Sequence, residues 1–146
     1  MNLTFRKATD EDNDVIRFIL QSRRLPTESI GTGVTDFHLA LDGAVVVGIA
    51  GFEYYGDDVL LRSVAVPSDV QKTGIGSKLV DRMIALAKEQ GKKRIVLLTE
   101  SASGFFAQKG FTTVERSSIA NAAMKRSTQF GGCCCGSAAC MALDIS

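Results

Sequence analysis

The order of four segments between Val59 and Thr99 most constrains what this chain can fold into. An apolar run, "VLLRSVAV", precedes a loop with two glycines, an amphipathic stretch from Gly74 to about Gln90, and a second apolar run, "RIVLLT". The amphipathic stretch predicts a helix that Gly91 ends, and the run after it is typical of a strand buried on both faces. The apolar residues on one side of the helix are Leu79, Val80, Met83, Ile84 and Leu86.

The segment before this unit predicts a strand, a helix and an antiparallel meander. "LTFRKA" alternates apolar and polar residues, as a half-buried strand does, and Thr9 or Asp10 can begin the helix that follows. Residues 27–34 are Gly- and Thr-rich and are expected to be a loop with at most one short helix. Residues 36–66 predict three consecutive antiparallel strands, the first two joined by a turn at Asp42-Gly43.

The C-terminal part predicts four shorter elements. They are a helix over Ala102 to Lys109, a strand at "FTTVE", a helix over 117–129 and a last strand over 138–145. Strands and helices in this order give an α+β class, a mixed α/β arrangement. The length of 146 residues is that of one domain, so residues 1–146 are expected to form a single domain with a cysteine-rich tail over 130–146.

Composition excludes several classes of function. A formal net charge of +1 gives no electrostatic case for nucleic acid or for an anionic membrane. No apolar run is as long as a membrane span, and the N-terminus has no signal-peptide core, which predicts a cytoplasmic protein. The four cysteines crowd into "CCCGSAAC" and the one histidine is His38, so neither a disulfide framework nor a metal site is expected.

Gly74 and Gly76 stand just before the predicted central helix. A helix N-terminus has unsatisfied N–H groups and a partial positive charge, and glycines ahead of it let an anion approach closely. The segment "QKTGIG" is therefore a candidate pyrophosphate loop, with Lys72 at its rim. The alternative is a plain strand-to-helix connection, and on the glycines alone the two interpretations are equal.

The same loop resembles the [Q/R]-x-x-G-x-[G/A] signature of the GNAT acyltransferase superfamily, with Gln71, Gly74 and Gly76 at the signature positions. "GFFAQKGF" is similar to that family's "FYxKxGF" segment, and the resemblance covers most of residues 3–115. It implies the GNAT fold, in which helices flank a central mixed and mostly antiparallel sheet. It also implies a transferase that takes acetyl-CoA and a small-molecule amine, often as a homodimer.

The resemblance also assigns the cofactor-binding residues. The backbone of the strand before the loop would hold the pantetheine, the loop and first helical turn would bind the pyrophosphate, and the strand ends at 66 and 99 would separate to admit the cofactor. The residues are Val64, Ala65, Val66, Gln71, Lys72, Thr73, Gly74, Ile75, Gly76, Ser77, Thr99 and Phe106.

The chain departs from the family pattern where the chemistry is expected. Phe106 replaces the tyrosine that many members use as a general acid, and Thr99 replaces a common asparagine. Family members that carry a glutamate on the fourth strand have it where this chain has Leu60 or Leu61. A hairpin turn over 56–58 would set Glu53 opposite these positions, so the resemblance implies Glu53 as the base or the ammonium ligand; the alternative is a strand-end glutamate in solvent. Arg62 is the candidate ligand for a carboxylate or oxyanion. The alternative is that Arg62 is an outward-facing residue of the sheet.

A narrower resemblance is to arsenic-resistance N-acetyltransferase-like proteins. It rests on "GFEYYGDDVLLRSVAV", "LLTESASGFFAQKGF" and "STQFGGCCCGSAACM". It implies an amino-acid-like toxin as the substrate. The alternative from another class is a catalytically weak acyl-CoA-binding or arsenical-sensing module, in which the adjacent thiols of Cys133, Cys134, Cys135 and Cys140 bind a thiophilic species.

Overall fold

The computed structural model describes residues 2–70, 73–125 and 138–146. In this part of the chain no helix is both long and apolar enough to span a membrane. The strands are β1 (Leu3–Lys7), β2 (Asp36–Asp42), β3 (Val45–Tyr55), β4 (Asp58–Ala65), β5 (Arg94–Thr99), β6 (Thr112–Val114) and β7 (Ala139–Asp144). The α-helices are α1 (Asn13–Ser22), α2 (Ile75–Glu89), α3 (Ser103–Gln108) and α4 (Ala122–Lys125).

The strands form a mixed seven-stranded sheet in the order β1-β2-β3-β4-β5-β7-β6. β1 with β2, β2 with β3, β5 with β7, and β6 with β7 are antiparallel. β4 and β5 are parallel, and Asp58–Leu60 pair with Arg94–Val96. The predicted α+β class with a mixed, mostly antiparallel sheet is therefore confirmed.

The chain divides into two compact units, and the first comprises Met1–Glu53 and Ser63–Ala85. In its core, α1 packs against the sheet through Ile16, Ile19 and Leu20, which recur at helical spacing. The other buried members of this cluster are Ile30, Phe37, Leu39, Leu41, Ile49 and Ala65.

Gly48 of β3 brings α2 close to the sheet within this first unit. A methyl group on Gly48 would lie 3.2 Å from Leu79 Cδ2 and 3.4 Å from Ile75 Cγ2. The first contact is tighter than ordinary packing and the second is at its lower limit, so the missing side chain lets the first two turns of α2 pack closely on the strand. The position of the helix N-terminus therefore depends on a glycine that lies in a strand.

The second unit comprises Tyr54–Arg62 and Leu86–Ser146. Its buried cluster contains Leu60, Val96, Ile119, Met124 and Cys140. A polar network lies beside it, in which Arg94 donates two hydrogen bonds to Asp58, of 3.0 and 2.8 Å, and Asn121 donates to Asp58 and to the Tyr55 carbonyl. Burial alone would raise the pKa of Asp58, but these donors outweigh it and the net pKa is lowered.

One sequence-based prediction about local structure needs correction. The helix expected over 117–129 is wrong in its described part, where a 3-10 turn at Arg116–Ser118 precedes the four-residue α4. The break has a cause, since the Asn121 side chain accepts the Met124 N–H and so begins a new helix there. The loop predicted over 27–34 is confirmed, since these residues form turns and bends without a helix. Residues 126–137 lie outside the described residues, and the prediction of a single domain stays a prediction.

Asp12 links the end of β1 to the start of α1 through hydrogen bonds. Its carboxylate accepts hydrogen bonds from both terminal nitrogens of Arg6, at 2.8 and 3.0 Å, and from the Thr9 backbone N–H at 2.8 Å. The hydrogen bonds from Arg6, with help from Thr9, lower the pKa of Asp12 from 3.8 to about 2. A carboxylate with a lowered pKa stabilises the folded state above its unfolded pKa, and this stabilisation is lost as pH falls toward the folded pKa.

Replacing Asp12 by Asn should lower the free energy of unfolding by about 1–2 kcal/mol at pH 7, a value reduced for the solvent around the half-exposed Arg6. The difference between wild type and Asp12→Asn should shrink to about half by pH 3, because the unfolded carboxyl is then mostly protonated. Urea unfolding at both pH values measures this, with Glu11→Gln as the exposed control in the same turn. An equal difference at pH 7 and pH 3 would contradict the pKa assignment.

Candidate functional site

β4 carries a strained residue directly ahead of the predicted pantetheine-binding segment. Ser63 has φ of 59°, in the left-handed region that a side chain disfavours. Such a residue costs about 1–2 kcal/mol and is often kept where function needs the local geometry. Val64 and Val66 follow, half-buried, and Ala65 between them is buried. The strain therefore coincides with the segment that the sequence assigns to the cofactor.

The predicted pyrophosphate loop contains an internal hydrogen bond. A 3-10 turn at Ser68–Val70 opens it, and the Thr73 hydroxyl donates a 2.6 Å hydrogen bond to the Val70 carbonyl. Gly74 follows with φ of 84°, and its carbonyl accepts the Lys78 N–H as α2 begins. Gln71 and Lys72, two predicted members of this loop, lie outside the described residues.

The two glycines of the loop have different reasons to be there. A side chain at Gly74 would meet nothing within 4 Å, so only its positive φ demands glycine. Gly76 has no positive φ, and a methyl group there would make an ordinary 3.7 Å contact with Val66 Cγ2. The fold itself thus requires glycine at 74 but not at 76, although glycine in a helix costs about 0.5–1 kcal/mol relative to alanine.

α2 supplies an anion-binding end directly after these glycines. It has 15 residues, and its first turn carries no acidic side chain to compete with a ligand. The Ile75 side chain is buried, which turns the start of the helix toward the core, while Thr73 and Gly74 remain exposed. An α-helix of this length presents N–H groups and a partial positive charge at its N-terminus. Ser77 belongs to the same turn and is half-buried.

Glu53 is a buried carboxyl group in β3 of the first unit. Only 2% of the residue is exposed, so the alternative of a strand-end glutamate in solvent is wrong. Buried acidic residues are rare and are held by partners or by function. Its predicted register opposite Leu60 or Leu61 stays a prediction.

Arg62 is a buried cation in β4 of the second unit. It is 4% exposed, which excludes a solvated position on the sheet surface. A buried guanidinium is held by acceptors, and its planar fork suits carboxylates and oxyanions. Its role toward a substrate remains a prediction.

Two further predicted residues lie in the second unit. The Thr99 hydroxyl accepts the Ala102 N–H at 3.0 Å and so shapes the entry to α3. Phe106 is 7% exposed and packs edge-to-face with Phe105 and Phe111, at centroid distances of 5.1 and 5.6 Å. Phe106 therefore serves mainly as a core residue, and its predicted place in the cofactor channel stays a prediction.

Some features of this region could not be found from the sequence. Nothing in "LLRSVAV" signals the positive φ of Ser63, because serine rarely adopts it. A cavity beside β1 and β2 also has no motif to mark it. Across the described ranges 2–70, 73–125 and 138–146, no three His, Cys, Asp or Glu side chains group closely enough to hold a metal ion.

A mixed sheet with a glycine loop at the N-terminus of α2 is the architecture of GNAT acyltransferases. The sequence matches the family model of the acetyltransferase (GNAT) domain over residues 34–113, more than half of its length. The chain therefore belongs to the GNAT acetyltransferase family.

One relative matches part of the sequence. The uncharacterized N-acetyltransferase CT2212 of Chlorobaculum tepidum is 31% identical over 90 residues, which are 61% of this chain. The match covers 57% of that relative, so the chain spans little more than half of its length.

The solved structures share the fold at lower identity. N-acetylglutamate synthase from Neisseria gonorrhoeae, complexed with coenzyme A and N-acetyl-glutamate, has a TM-score of 0.83 and 18% identity over 99% of this chain and 35% of that one. Rv2747 from Mycobacterium tuberculosis, in complex with CoA, has a TM-score of 0.83 and 23% identity, and the match covers 98% of this chain and 99% of that one. The ribosomal-protein-S18-alanine N-acetyltransferase from Escherichia coli has a TM-score of 0.77 and 17% identity, and the match covers 99% of this chain and 94% of that one. These structures confirm the predicted GNAT fold.

Proposed function

We propose that this protein is an acetyl-CoA-dependent N-acetyltransferase that modifies the amine of a small molecule. The observation that carries the proposal is the loop ahead of α2. Gly74 adopts a φ of 84°, and Gly76 follows at a position where the fold would accept a side chain. Gly74, held in the left-handed region directly ahead of a 15-residue helix, lets a ligand phosphate approach the helix N-terminus closely, and a small residue at position 76 keeps that approach clear.

The chain offers backbone groups for the donor at two adjoining places of the first unit. The loop and first turn of α2, including Gln71 and Lys72, would bind the pyrophosphate. Val64 to Val66, which follow the strained Ser63, would hold the pantetheine through their backbone. Two solved GNAT structures of this fold contain coenzyme A, which supports the choice of donor.

The reaction that fits is direct attack of the amine on the thioester carbonyl. The nitrogen–carbon bond forms, the carbon–sulfur bond breaks and the CoA thiolate leaves, while the amine gives up a proton. Glu53 is the group that would take this proton, directly or through a water, because it is a carboxylate held away from bulk solvent. Phe106 cannot donate a proton to the thiolate, so the enzyme would rely on the stability of the thiolate itself.

The finer identity of the substrate rests on the resemblance to arsenic-resistance N-acetyltransferase-like proteins. It favours an amino acid with an arsonate or phosphinate group, whose carboxylate or oxyanion Arg62 would hold. Acetylation would remove the positive charge of the α-amine. A cytoplasmic location, where acetyl-CoA is made, belongs to the same proposal.

The experiment is a two-part assay on the full chain. Calorimetry measures acetyl-CoA binding, and loss of the thioester absorbance then measures transfer to a panel of amino acids that includes phosphinothricin and arsenic-bearing analogues. This absorbance avoids the background that free cysteine thiols would give in a thiol assay. Binding with turnover on one amine supports the proposal, and failure to bind acetyl-CoA contradicts it.

A second function is favoured by Phe106. Without a general acid the protein would be an acyl-CoA-binding module, or an arsenical sensor through Cys133, Cys134 and Cys135, which lie outside the described residues. Cys140 is buried, and burial raises the pKa of its thiol, which disfavours the reactive thiolate. Acetyl-CoA binding without turnover on any amine would support this alternative.

A further inference from the structure

A second candidate site lies in the first unit, away from the glycine loop in sequence. It is a cavity of about 430 Å³ beside the end of β1 and the start of β2. This volume is in the range of roughly 300–1,000 Å³ that small-molecule sites occupy. Its polar lining includes Lys7, Thr9, Asp10, Asn13, Thr35 and Asp36.

Thr35 is the residue that points to a ligand. It is 7% exposed, and its Oγ1 has no hydrogen-bond partner among the residues that the structure describes. A buried hydroxyl without a partner destabilises the folded state, because it has lost its hydrogen bonds to water and forms none within the protein. The nearby Thr32 hydroxyl, by contrast, donates to the Ser29 carbonyl at 2.8 Å. The hydroxyl of Thr35 is thus a group in this lining whose hydrogen bonding a ligand would complete.

Asp36, the next residue in the chain, contributes a carboxylate to the same lining. Its Oδ2 lies 3.0 Å from His38 Nε2, which fixes the orientation of the carboxylate, and its Oδ1 lies 3.4 Å from Lys7 Nζ. The Lys7 side chain is 72% exposed, whereas that of Asp36 is 14% exposed. An ion pair with so exposed a lysine is weak. The ammonium of Lys7 therefore marks a position that the ammonium of a ligand can take.

The charges of the lining favour a cation. Asp10 and Asp36 contribute two carboxylates, and Lys7 contributes one ammonium. An ammonium group has three donors and no acceptor, so it suits a carboxylate together with the lone pairs of a hydroxyl. We propose that this cavity binds a small primary amine in its ammonium form, which donates to the Asp36 carboxylate and to Thr35 Oγ1.

This inference does not depend on acetyl transfer, because binding is measured without acetyl-CoA. The probe is ethanolamine, and ethylene glycol is its uncharged counterpart of similar size. Titration of the isotope-labelled full chain by NMR reports both affinity and location. We expect saturable shifts in the amide signals of residues 31–37 with ethanolamine and none with ethylene glycol. Alanine, a zwitterion, tests whether an added carboxylate is tolerated, and weaker binding of alanine is expected from the excess of carboxylates.

Thr35→Val is the decisive variant. Valine has nearly the shape of threonine but lacks the hydroxyl, so the melting temperature should rise or stay the same, as an unpartnered group has been removed. Its affinity for ethanolamine should nevertheless fall by at least about fivefold, since one acceptor of the ammonium is lost. Asp36→Asn should weaken binding further. Equal affinity in Thr35→Val, equal shifts with ethylene glycol, or no saturable shift at 31–37 would each overturn the proposal.

Discussion

Replacing Glu53 by Gln is expected to lower the turnover number for acetyl transfer by about 100-fold. A general base contributes roughly 10²–10⁴-fold to a rate, and glutamine has nearly the same shape but cannot accept the proton. Glu53 is 2% exposed, so bulk water cannot readily replace it as the proton acceptor. The Kd for acetyl-CoA should stay within a factor of about two, because the assigned donor-binding groups are backbone atoms of the loop and β4.

The matched control is Glu115→Gln, the same chemical change at an exposed glutamate. Its turnover should equal that of the wild type. Thermal unfolding of all three proteins separates loss of chemistry from loss of fold. A Glu53→Gln enzyme that is folded, binds acetyl-CoA and turns over at the wild-type rate would rule out Glu53 as the base.

Replacing Gly74 by Ala should weaken acetyl-CoA binding by about tenfold and lower the free energy of unfolding by about 1–2 kcal/mol. The φ of Gly74 is 84°, which costs an alanine about that much, and the loop would relax away from the geometry that presents its amides. Space is not the reason, since a methyl group there contacts nothing within 4 Å. Calorimetry with acetyl-CoA and urea unfolding measure the two effects.

Gly76→Ala is the internal control for this experiment. The new methyl group makes an ordinary 3.7 Å contact with Val66, and alanine favours a helix, so stability should rise by about 0.5 kcal/mol. Affinity for acetyl-CoA should change by less than about threefold, as the family signature accepts alanine at this position. If both variants bind acetyl-CoA like the wild type, the loop is not the pyrophosphate site.

Much of the fold could be predicted because its signals are local. The apolar periodicity of α2 and the continuous run of β5 each identify one element, and Gly91 marks the boundary between them. The helix expected over 117–129 failed because tertiary contacts decide that segment. Ile119 and Met124 are buried in the second core, and Asn121 forms hydrogen bonds with Asp58 and with the Tyr55 carbonyl. Side-chain contacts of this range leave no periodic trace in the sequence.

Some features of the candidate site are likewise recognisable from the sequence, and others are not. The glycine loop is recognisable from residue type and spacing, since only backbone conformation and a helix end are needed. Burial of Glu53 and Arg62 is not recognisable, because polar residues in strands are solvated unless the fold covers them. Ser63 and Thr35 are ordinary residues in the sequence, and only the backbone angle of one and the unsatisfied hydroxyl of the other distinguish them.

Gly48 also bears on how sequences of this family can diverge. Because a methyl group at position 48 would lie 3.2 Å from Leu79 Cδ2, the two positions share one small volume. An ancestor that gained alanine at 48 would survive best if valine or alanine had already replaced the leucine at 79. The order of such substitutions matters, since the reverse order passes through an intermediate in which Leu79 must shift by a few tenths of an ångström to admit the methyl group. Gly48 thus makes neighbouring steps in an evolutionary path depend on one another, although the residue itself touches no ligand in the proposed reaction.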